Sequence, residues 1–591
     1  MGFFVYIDKH FLLFNRHLMT HSPTSLVDIL RGRAEEQPNQ LAYRYLVDGE
    51  YEEDLITYQD LDLRARSIAA LLQSSAKEGE RVLLIFPPGL NFIAAFFGCL
   101  YAKMLAIPVS PPHPARLEKN LHNIIRIATD SAPSAALLST SLFNVINSRK
   151  EIANEFNNIK LLATDNDKLN DRAHLWKQPE IGKNDLAFLQ YSSGSTTTPK
   201  GIIVTHDNLL HNLEMIQKCF GHSSASHAVI WLPPYHDMGL GGILQPLYTG
   251  YPATLISHMM FLQRPIRWLL AISRFRATTS GGPNFAYDLC ARKIKPEQRE
   301  LLDLSSWEVA FNGAEPIYNK TMDQFAEYFA PCGFRPEAFL PCYGLAEATL
   351  MVAGGQKGSI PLIQNLMNSG LEQNEVIIAS EKNKNTRTLV SCGGKISHQQ
   401  IKIVNPETLT LCSSNQIGEI WVSGPSVAKG YWNKPLETEL TFGARISNSD
   451  EGPFLRTGDL GFLHKGELYI TGRLKNLIIS GGKNHYSHDI ERTVEKSHPA
   501  VRLAGCAVFS INDSEAERII VIAETEHKFI VNEEEVIKAI RNAIAIHHEL
   551  HVDDIKLTTP GEIPRTTSGK IRHLLCKTNY LAETFNEIKS I

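Results

Sequence analysis

The chain has 591 residues, 43% of them apolar and 21% charged, with a formal net charge of −4. That is an ordinary globular composition, and it excludes disordered, collagen-like and coiled-coil classes. The balanced charge carries no basic footprint for wrapping nucleic acid, so no nucleic-acid partner is expected.

No apolar run reaches the roughly 18 residues of a membrane span. The nearest, Phe3 to Phe14, is interrupted by Asp8, Lys9 and His10. It has no basic lead and no small-residue cleavage site, so it does not read as a signal peptide. Gly2 fails the myristoylation pattern because Tyr6 stands where Ser or Thr is required. Met19 is an alternative start. The nine cysteines form no C-x-x-C and suit a reducing compartment, which predicts a cytoplasmic protein.

In chain order, the sequence repeats strand, turn and amphipathic helix. Arg81–Phe86 predicts a strand, Asn91–Met104 a helix and Leu105–Val109 the next strand. Short strands follow at Ala135–Leu138 and Ile159–Ala163, and Asp185–Tyr191 leads into a Ser/Thr/Gly loop. Ile202–Thr205 and Asp207–Phe220 predict a strand and a helix capped by Asp207. Ala228–Leu232, Ala253–Ile256 and Val309–Asn312 continue the alternation. The fold expected is α/β, with parallel-rich sheets covered by helices. From about Gly393 the punctuation by Gly and Pro becomes dense, and Ile401–Val404, Gly418–Val422 and Gly466–Thr471 predict a β-rich, more antiparallel module. Beyond Arg473 a small α+β pattern appears, with strands near Leu477–Ser480, Ala504–Phe509 and Ile519–Glu524 and helices near Asp489–Lys496 and Glu534–Ile546. The expected organisation is a large N-terminal part over 20–473, its β-rich subdomain at about 393–473, and a C-terminal domain over 474–591.

The stretch Tyr191-Ser192-Ser193-Gly194-Ser195-Thr196-Thr197-Thr198-Pro199-Lys200-Gly201 lies between two predicted strands. Its hydroxyl and glycine positions offer many neutral donors and Lys200 adds a cation, which is what a polyphosphate requires. It is not a Walker loop, because Pro199 precedes the lysine and Gly201 follows it. With this loop the chain resembles the adenylate-forming, or acyl-activating, superfamily. The further motifs fall in the family's order. Asn312-Gly313-Ala314-Glu315-Pro316 is similar to its adenine-contacting loop, and Tyr343-Gly344-Leu345-Ala346-Glu347 to its aromatic and metal-binding segment. Thr457-Gly458-Asp459-Leu460 is similar to its ribose-binding turn, and Gly472-Arg473-Leu474-Lys475-Asn476 to its interdomain hinge. Pro564-Arg565-Thr566-Thr567-Ser568-Gly569-Lys570 is similar to the segment carrying its catalytic lysine.

The resemblance implies ATP as cosubstrate. It implies that Tyr343 presents a flat face to adenine, that Asp459 with Arg473 binds the ribose, and that Glu347 holds Mg²⁺. It implies that Lys570 enters the site on a mobile loop and stabilises transition-state charge. His236, in Trp231-Leu232-Pro233-Pro234-Tyr235-His236-Asp237-Met238-Gly239, follows a strand and is placed by the family beside the acyl carboxylate.

Departures from the common pattern resemble the fatty-acyl-AMP ligase branch. They are Thr197 in the phosphate loop, Ala346 in place of a threonine, Asn484 and Asp489 after the hinge, and a long stretch from Gly354 to Cys392. The branch implies activation of a fatty acid to acyl-AMP and transfer to the phosphopantetheine thiol of an acyl carrier protein, or of a carrier domain in a polyketide or peptide synthase. It also implies that the insertion, about 354–391, restrains the C-terminal domain. Within it, Ile360, Leu362, Ile363 and Leu366 form the apolar cluster expected to dock. The alternatives are an acyl-CoA synthetase of the same superfamily and a catalytically silent adenylate-binding scaffold. His547 and His551 do not make an H-E-x-x-H zinc motif, and no G-x-S-x-G or G-x-G-x-x-G occurs.

Overall fold

A computed structural model describes residues 23–112, 117–192, 199–381, 385–396, 398–449, 451–512, 517–526, 532–566 and 569–585. The chain divides into two compact units. One comprises Met1–Gln190, Ile203–Ser280 and Ile294–Trp307, and the other Tyr191–Ile202, Gly281–Lys293 and Glu308–Ile591.

The first unit is built from parallel strands, as the alternation predicts. Lys160–Ala163, Ala135–Leu138, Arg81–Ile85 and Leu105–Pro108 lie side by side in parallel, and Phe188 of the strand Leu186–Ser192 pairs with Ala106. Ala135–Leu138 and Leu105–Pro108 are buried at every position, the mark of strands covered on both faces. The helix Leu90–Tyr101 is apolar nearly all round and buried except at Asn91. A second sheet carries Ala253–Ile256 between Leu41–Leu46 and Ala228–Ile230, all parallel, with Glu53–Thr57 antiparallel at its edge. The helix His206–Phe220 is capped by Thr205, not by Asp207. Thr205 Oγ1 accepts from Asn208 N, and the Asn208 side chain answers at Thr205 N, which closes a capping box.

In the second unit Val309–Asn312 runs parallel to Phe339–Gly344. Beyond that pair this sheet is antiparallel: Met351–Gly354, Thr386–Lys395, Glu467–Arg473, Leu455–His464, Gly418–Ser423 and Gln400–Val404 follow in spatial order. The switch to antiparallel pairing thus falls at Met351–Gly354, earlier in the chain than the Gly/Pro punctuation from Gly393 suggests. The strand Ile363–Met367 pairs with Thr386–Lys395, so the insertion grows out of the sheet. After the hairpin Leu477–Ser480/Lys483–Tyr486, the antiparallel strands Val501–Asn512 and Glu517–Thr525 take Asp554–Thr558 in parallel. Two helices cover that small sheet. Ser487–Ser497 contributes Ile490 and Val494, and Glu533–His548 contributes Val536, Ile540 and Ile544, spaced four apart as one buried helical face requires. No helix among the described residues is long and apolar enough to cross a membrane.

Candidate active site

Of the phosphate loop, residues 193–198 lie outside the described residues, which covers Ser193, Gly194, Ser195, Thr196, Thr197 and Thr198. Ser192 ends the strand Leu186–Ser192 that enters the loop. Lys200 opens the strand Lys200–Thr205 that leaves it, and its Nζ sits 4.7 Å from the centroid of the Tyr431 ring. Tyr431 is tied there by backbone. Ile202 forms an antiparallel bridge with it, and Trp432 N donates to Gly201 O at 2.7 Å.

Tyr431 also reaches the proposed metal ligand. Its hydroxyl donates to Glu347 Oε1 at 2.9 Å, and the Glu347 carbonyl accepts from Ala428 N. Burial and the Glu347 carboxylate both push the Tyr431 phenol far above its ordinary value, so it stays a donor. Glu347 fits Mg²⁺, a hard cation that commonly takes one carboxylate and completes its shell with phosphate oxygens and water.

Tyr343 lies in the strand Phe339–Gly344. At its end a Cβ on Gly344 would fall 1.8 Å from Leu350 O, so only glycine admits the turn toward Glu347. The Tyr343 hydroxyl donates to Asp459 Oδ2 at 2.8 Å, and Arg473 Nε donates to Asp459 Oδ1 at 2.9 Å. Asp459 is not in a turn. It sits inside the ten-residue strand Leu455–His464, directly opposite Arg473 in the adjoining strand. The opposite charges form a cross-strand pair, fixed by the ladder before any ligand arrives. Asp459 holds the Arg473 guanidinium even more firmly protonated than usual, and burial pushes the Tyr343 phenol well up.

Gly313 follows the strand Val309–Asn312 and is buried. Ala314 has φ 67°, a left-handed conformation that a residue with a Cβ resists. Glu315 Oε1 accepts from Phe285 N at 2.6 Å. Burial pushes the Glu315 carboxyl up to about 6, against that hydrogen bond and the nearby Lys570 charge, which both pull it down. Lys570 therefore lies within electrostatic reach of the adenine-type loop. It is not on a free loop: Thr566 N donates to its carbonyl at 2.8 Å, and its own N donates to Thr566 Oγ1 at 3.1 Å.

The second unit thus brings together Lys200, Tyr343, Glu347, Asp459, Arg473, Glu315 and Lys570. His236 belongs to the first unit. It precedes the helix Asp237–Thr249, and its Nδ1 meets Asp237 Oδ1 at 2.6 Å. Gln190, almost fully buried, donates from Nε2 to Tyr235 O at 3.0 Å and steadies the segment just before it. Sequence reasoning gave no role to Tyr431 or Gln190. Tyr431 lies in the stretch densely punctuated by Gly and Pro, where only the strand bridge to Ile202 shows what it touches. The insertion also differs from expectation. Leu366 is fully buried, with Leu371 and Leu389 beside Tyr486, Leu474 and Leu477, but Ile360, Leu362 and Ile363 are exposed.

Comparison with known proteins points the same way. The AMP-binding enzyme family model matches residues 30–432, and the Disco-interacting protein 2-like AMP domain matches 475–590. The medium-chain-fatty-acid–[acyl-carrier-protein] ligase JamA of Moorena producens is 45% identical over 571 residues, 95% of this chain and 96% of that one. The ligase of the same description, TtuA of Teredinibacter turnerae, is 35% identical and covers 94% of this chain and 93% of its own. The crystal structure of a fatty acid AMP ligase from Legionella pneumophila superposes with a TM-score of 0.75 at 42% identity, covering 98% of each chain.

Proposed function

The chain belongs to the AMP-binding enzyme family, and from that premise we propose a two-step reaction. A fatty acid is activated by ATP to fatty acyl-AMP with release of pyrophosphate. The phosphopantetheine thiol of an acyl carrier protein, free or as a synthase domain, then takes the acyl group and AMP leaves. A medium-chain acid is the favoured substrate, as it is for both named ligases. The observation that carries this reading is the Tyr343–Asp459–Arg473 triad, in the same compact unit as Lys570.

Each residue then has a task. Tyr343 supports the adenine beside Gly313, Ala314, Glu315 and Gly344, and Asp459, held by Arg473, accepts from the ribose hydroxyls. The phosphate loop from Ser192 to Lys200 gathers the phosphates. Glu347 would hold Mg²⁺, which when bound supplies neutralising charge to phosphate oxygens. Tyr431 orients the Glu347 carboxylate and lends its ring to Lys200. His236, held by Asp237, receives the acyl carboxylate. That carboxylate attacks the α-phosphorus, pyrophosphate departs, and Lys570 stabilises charge on both partners in the transition state.

We further assign 20–473 to an adenylation domain and 474–591 to a domain that turns about Arg473–Asn476, with the family matches divided between 432 and 475 in support. The cytoplasm is the compartment that suits nine cysteines with no disulfide among them. One experiment tests the reaction: mass spectrometry of products from ATP and a fatty acid panel, with CoA and with a holo carrier protein supplied separately. Acyl-AMP and acyl-carrier product are expected. Efficient acyl-CoA formation points to the CoA synthetase instead, and absence of acyl-AMP to a silent scaffold.

A further inference from the structure

The segment carrying Lys570 is a tight hairpin. Arg565 and Ile571 form an antiparallel bridge, Gly569 N donates to Thr566 O at 2.9 Å, and Arg572 N donates to Pro564 O at 2.9 Å. Gly569 turns with φ 87°, which a side chain would resist. A closed hairpin fixes the lysine relative to its neighbours, but not relative to the rest of the C-terminal sheet and helices. Something else must anchor its stems.

Each stem meets a carboxylate drawn into the interior. On the incoming stem, Glu524 is fully buried in the strand Glu517–Thr525. Its Oε1 accepts from Gly561 N at 2.8 Å and from Ile563 N at 3.1 Å. Its Oε2 pairs with Arg502 at 2.9 Å and lies 3.9 Å from Arg565. On the outgoing stem, Glu491 of the helix Ser487–Ser497 accepts at Oε1 from Val508 N at 3.0 Å and meets His573 Nε2 at 2.5 Å. His573 stands three residues after Lys570 and begins the helix His573–Leu581. Its Nδ1 is 3.5 Å from Asn476 Nδ2, in the hinge. Burial pulls the His573 pKa down and Arg473 opposes its charge, but Glu491 outweighs both and leaves it raised.

Apolar residues fill the surrounding core, among them Ile563, Ala507, Ile520 and Ile522. Buried ion pairs are poor devices for stability, because packed apolar groups of the same shape often do as well. They do fix direction. A carboxylate that accepts two backbone N–H groups sets where the chain passes to within a few tenths of an ångström, and charge stabilisation demands that order of placement.

We propose that Glu524 and the Glu491–His573 pair are positioning residues for adenylation, holding the two stems of the hairpin so that Lys570 is presented at the reacting phosphate. The inference rests on the role given to Lys570 above. The clamps serve the first step, in which Lys570 acts, and not the transfer step.

The test uses the full chain. Pyrophosphate release from ATP and a fatty acid reports the first step. Transfer from supplied synthetic acyl-AMP to a holo carrier protein reports the second. His573→Ala is expected to lower kcat of the first step by about ten- to a hundredfold, the cost of a misplaced catalytic group. The KM for ATP and the transfer step should stay as in the parent. His573→Gln, which keeps a donor, should recover most of the loss. Glu491→Gln and Glu524→Gln preserve shape and carry the same test if His573→Ala does not fold; each should lose first-step rate alone. Unchanged adenylation in all of them overturns the proposal, and so does equal loss of both steps, which marks a structural role. Lys570→Ala is run beside them. Should it adenylate normally, the assignment of Lys570 itself falls; should it be inactive while the clamp variants are normal, only the clamp falls.

Discussion

The hydroxyl of Tyr343 donates to Asp459 Oδ2 at 2.8 Å, so the residue read as the adenine platform and the residue read as the ribose ligand are one hydrogen-bonded unit. Both are nearly fully buried. The pair is therefore set by the fold itself, and a change at either residue is felt by the other.

Asp459→Ala accordingly has two expected effects. Loss of a charge-assisted hydrogen bond to the ribose lowers ATP affinity by about ten- to a hundredfold, or ~1.5–3 kcal/mol. The stranded Tyr343 hydroxyl then costs a further ~1–3 kcal/mol of folding stability. Adding Tyr343→Phe removes the stranded group and should restore part of that stability without restoring affinity. Calorimetry and denaturant unfolding measure the two separately, and a double variant no more stable than Asp459→Ala would break the coupling.

Lys570→Ala should reduce acyl-AMP formation by at least ~10²–10³, the usual loss for one stabiliser of developing charge. ATP binding should be nearly unchanged, since the residues proposed to meet ribose and adenine lie elsewhere. Single-turnover acyl-AMP formation at the parent's rate would remove Lys570 from the chemistry.

How much of the fold and site is legible in the sequence depends on the kind of contact. Strands buried on both faces, such as Ala135–Leu138, announce themselves as short apolar runs. The motif residues stand out because their types and order are specific. Asp459 opposite Arg473 is harder. Gly458-Asp459 looks like turn chemistry, and counting back from the hairpin at Lys465-Gly466 misses the pairing by one, because the register shifts between Leu460 and Gly461. The insertion misleads in another way. Apolar residues at 360, 362 and 363 suggest a docking face, but the strand Ile363–Met367 turns Ile363 outward and buries Leu366. Tyr431 cannot be placed at all without its partner strand, which lies more than two hundred residues earlier.

Tyr431→Phe tests the contact with Glu347. The ring remains for Lys200, but Glu347 loses the donor that orients it. A group that orients a metal ligand is worth roughly ten- to a hundredfold in metal affinity. The Mg²⁺ concentration giving half-maximal adenylation should rise by about that factor, with little change in the fatty acid KM. An unchanged Mg²⁺ titration would mean Glu347 is not the ligand.

The stability of the fold should decline in acid through its buried histidines. Burial lowers His206, His227 and His548 to about 4, from an ordinary 6.5. The unfolded chain takes up protons at these positions below about 6.5, whereas the folded chain does so only near 4. Their contribution is therefore complete above pH 6.5 and lost as pH falls through that window. His206 is the clearest case, since its Nδ1 accepts from Leu26 N and needs the neutral ring. Its own share is of the order of 3 kcal/mol, from 1.36 kcal/mol per pKa unit. Unfolding free energies of the parent and of His206→Gln, compared between pH 7 and pH 4.5, should converge as the pH drops. Parallel curves would show that His206 does not titrate between the states.

The insertion grips the segment after the hinge through charge as well as through apolar packing. Arg387 pairs with Asp489 at 3.0 Å, donates to Thr471 O at 2.9 Å, meets His488 Nε2 at 2.6 Å and lies 4.8 Å over the Tyr486 ring. Nearby, Glu372 pairs with Lys483 at 3.0 Å, and its carbonyl accepts from Asn484 N and Nδ2. One side chain thus ties the strand before Arg473 to the helix after it. Cutting out the whole insertion is a poor test, because Ser391 of the strand Thr386–Lys395 pairs with Tyr469 in the sheet. Arg387→Ala leaves the sheet intact. Hydrogen bonds to a charged group are worth ~1.5–3 kcal/mol, enough to shift a two-state domain equilibrium tenfold or more. Adenylation should persist, and acyl-CoA formation should rise by about tenfold over the parent. Asp489→Ala should act in the same direction, and the double variant should exceed neither single by much, since both break one pair. A folded Arg387→Ala enzyme with normal adenylation and the parent's acyl-CoA rate would show that this grip does not decide the acceptor.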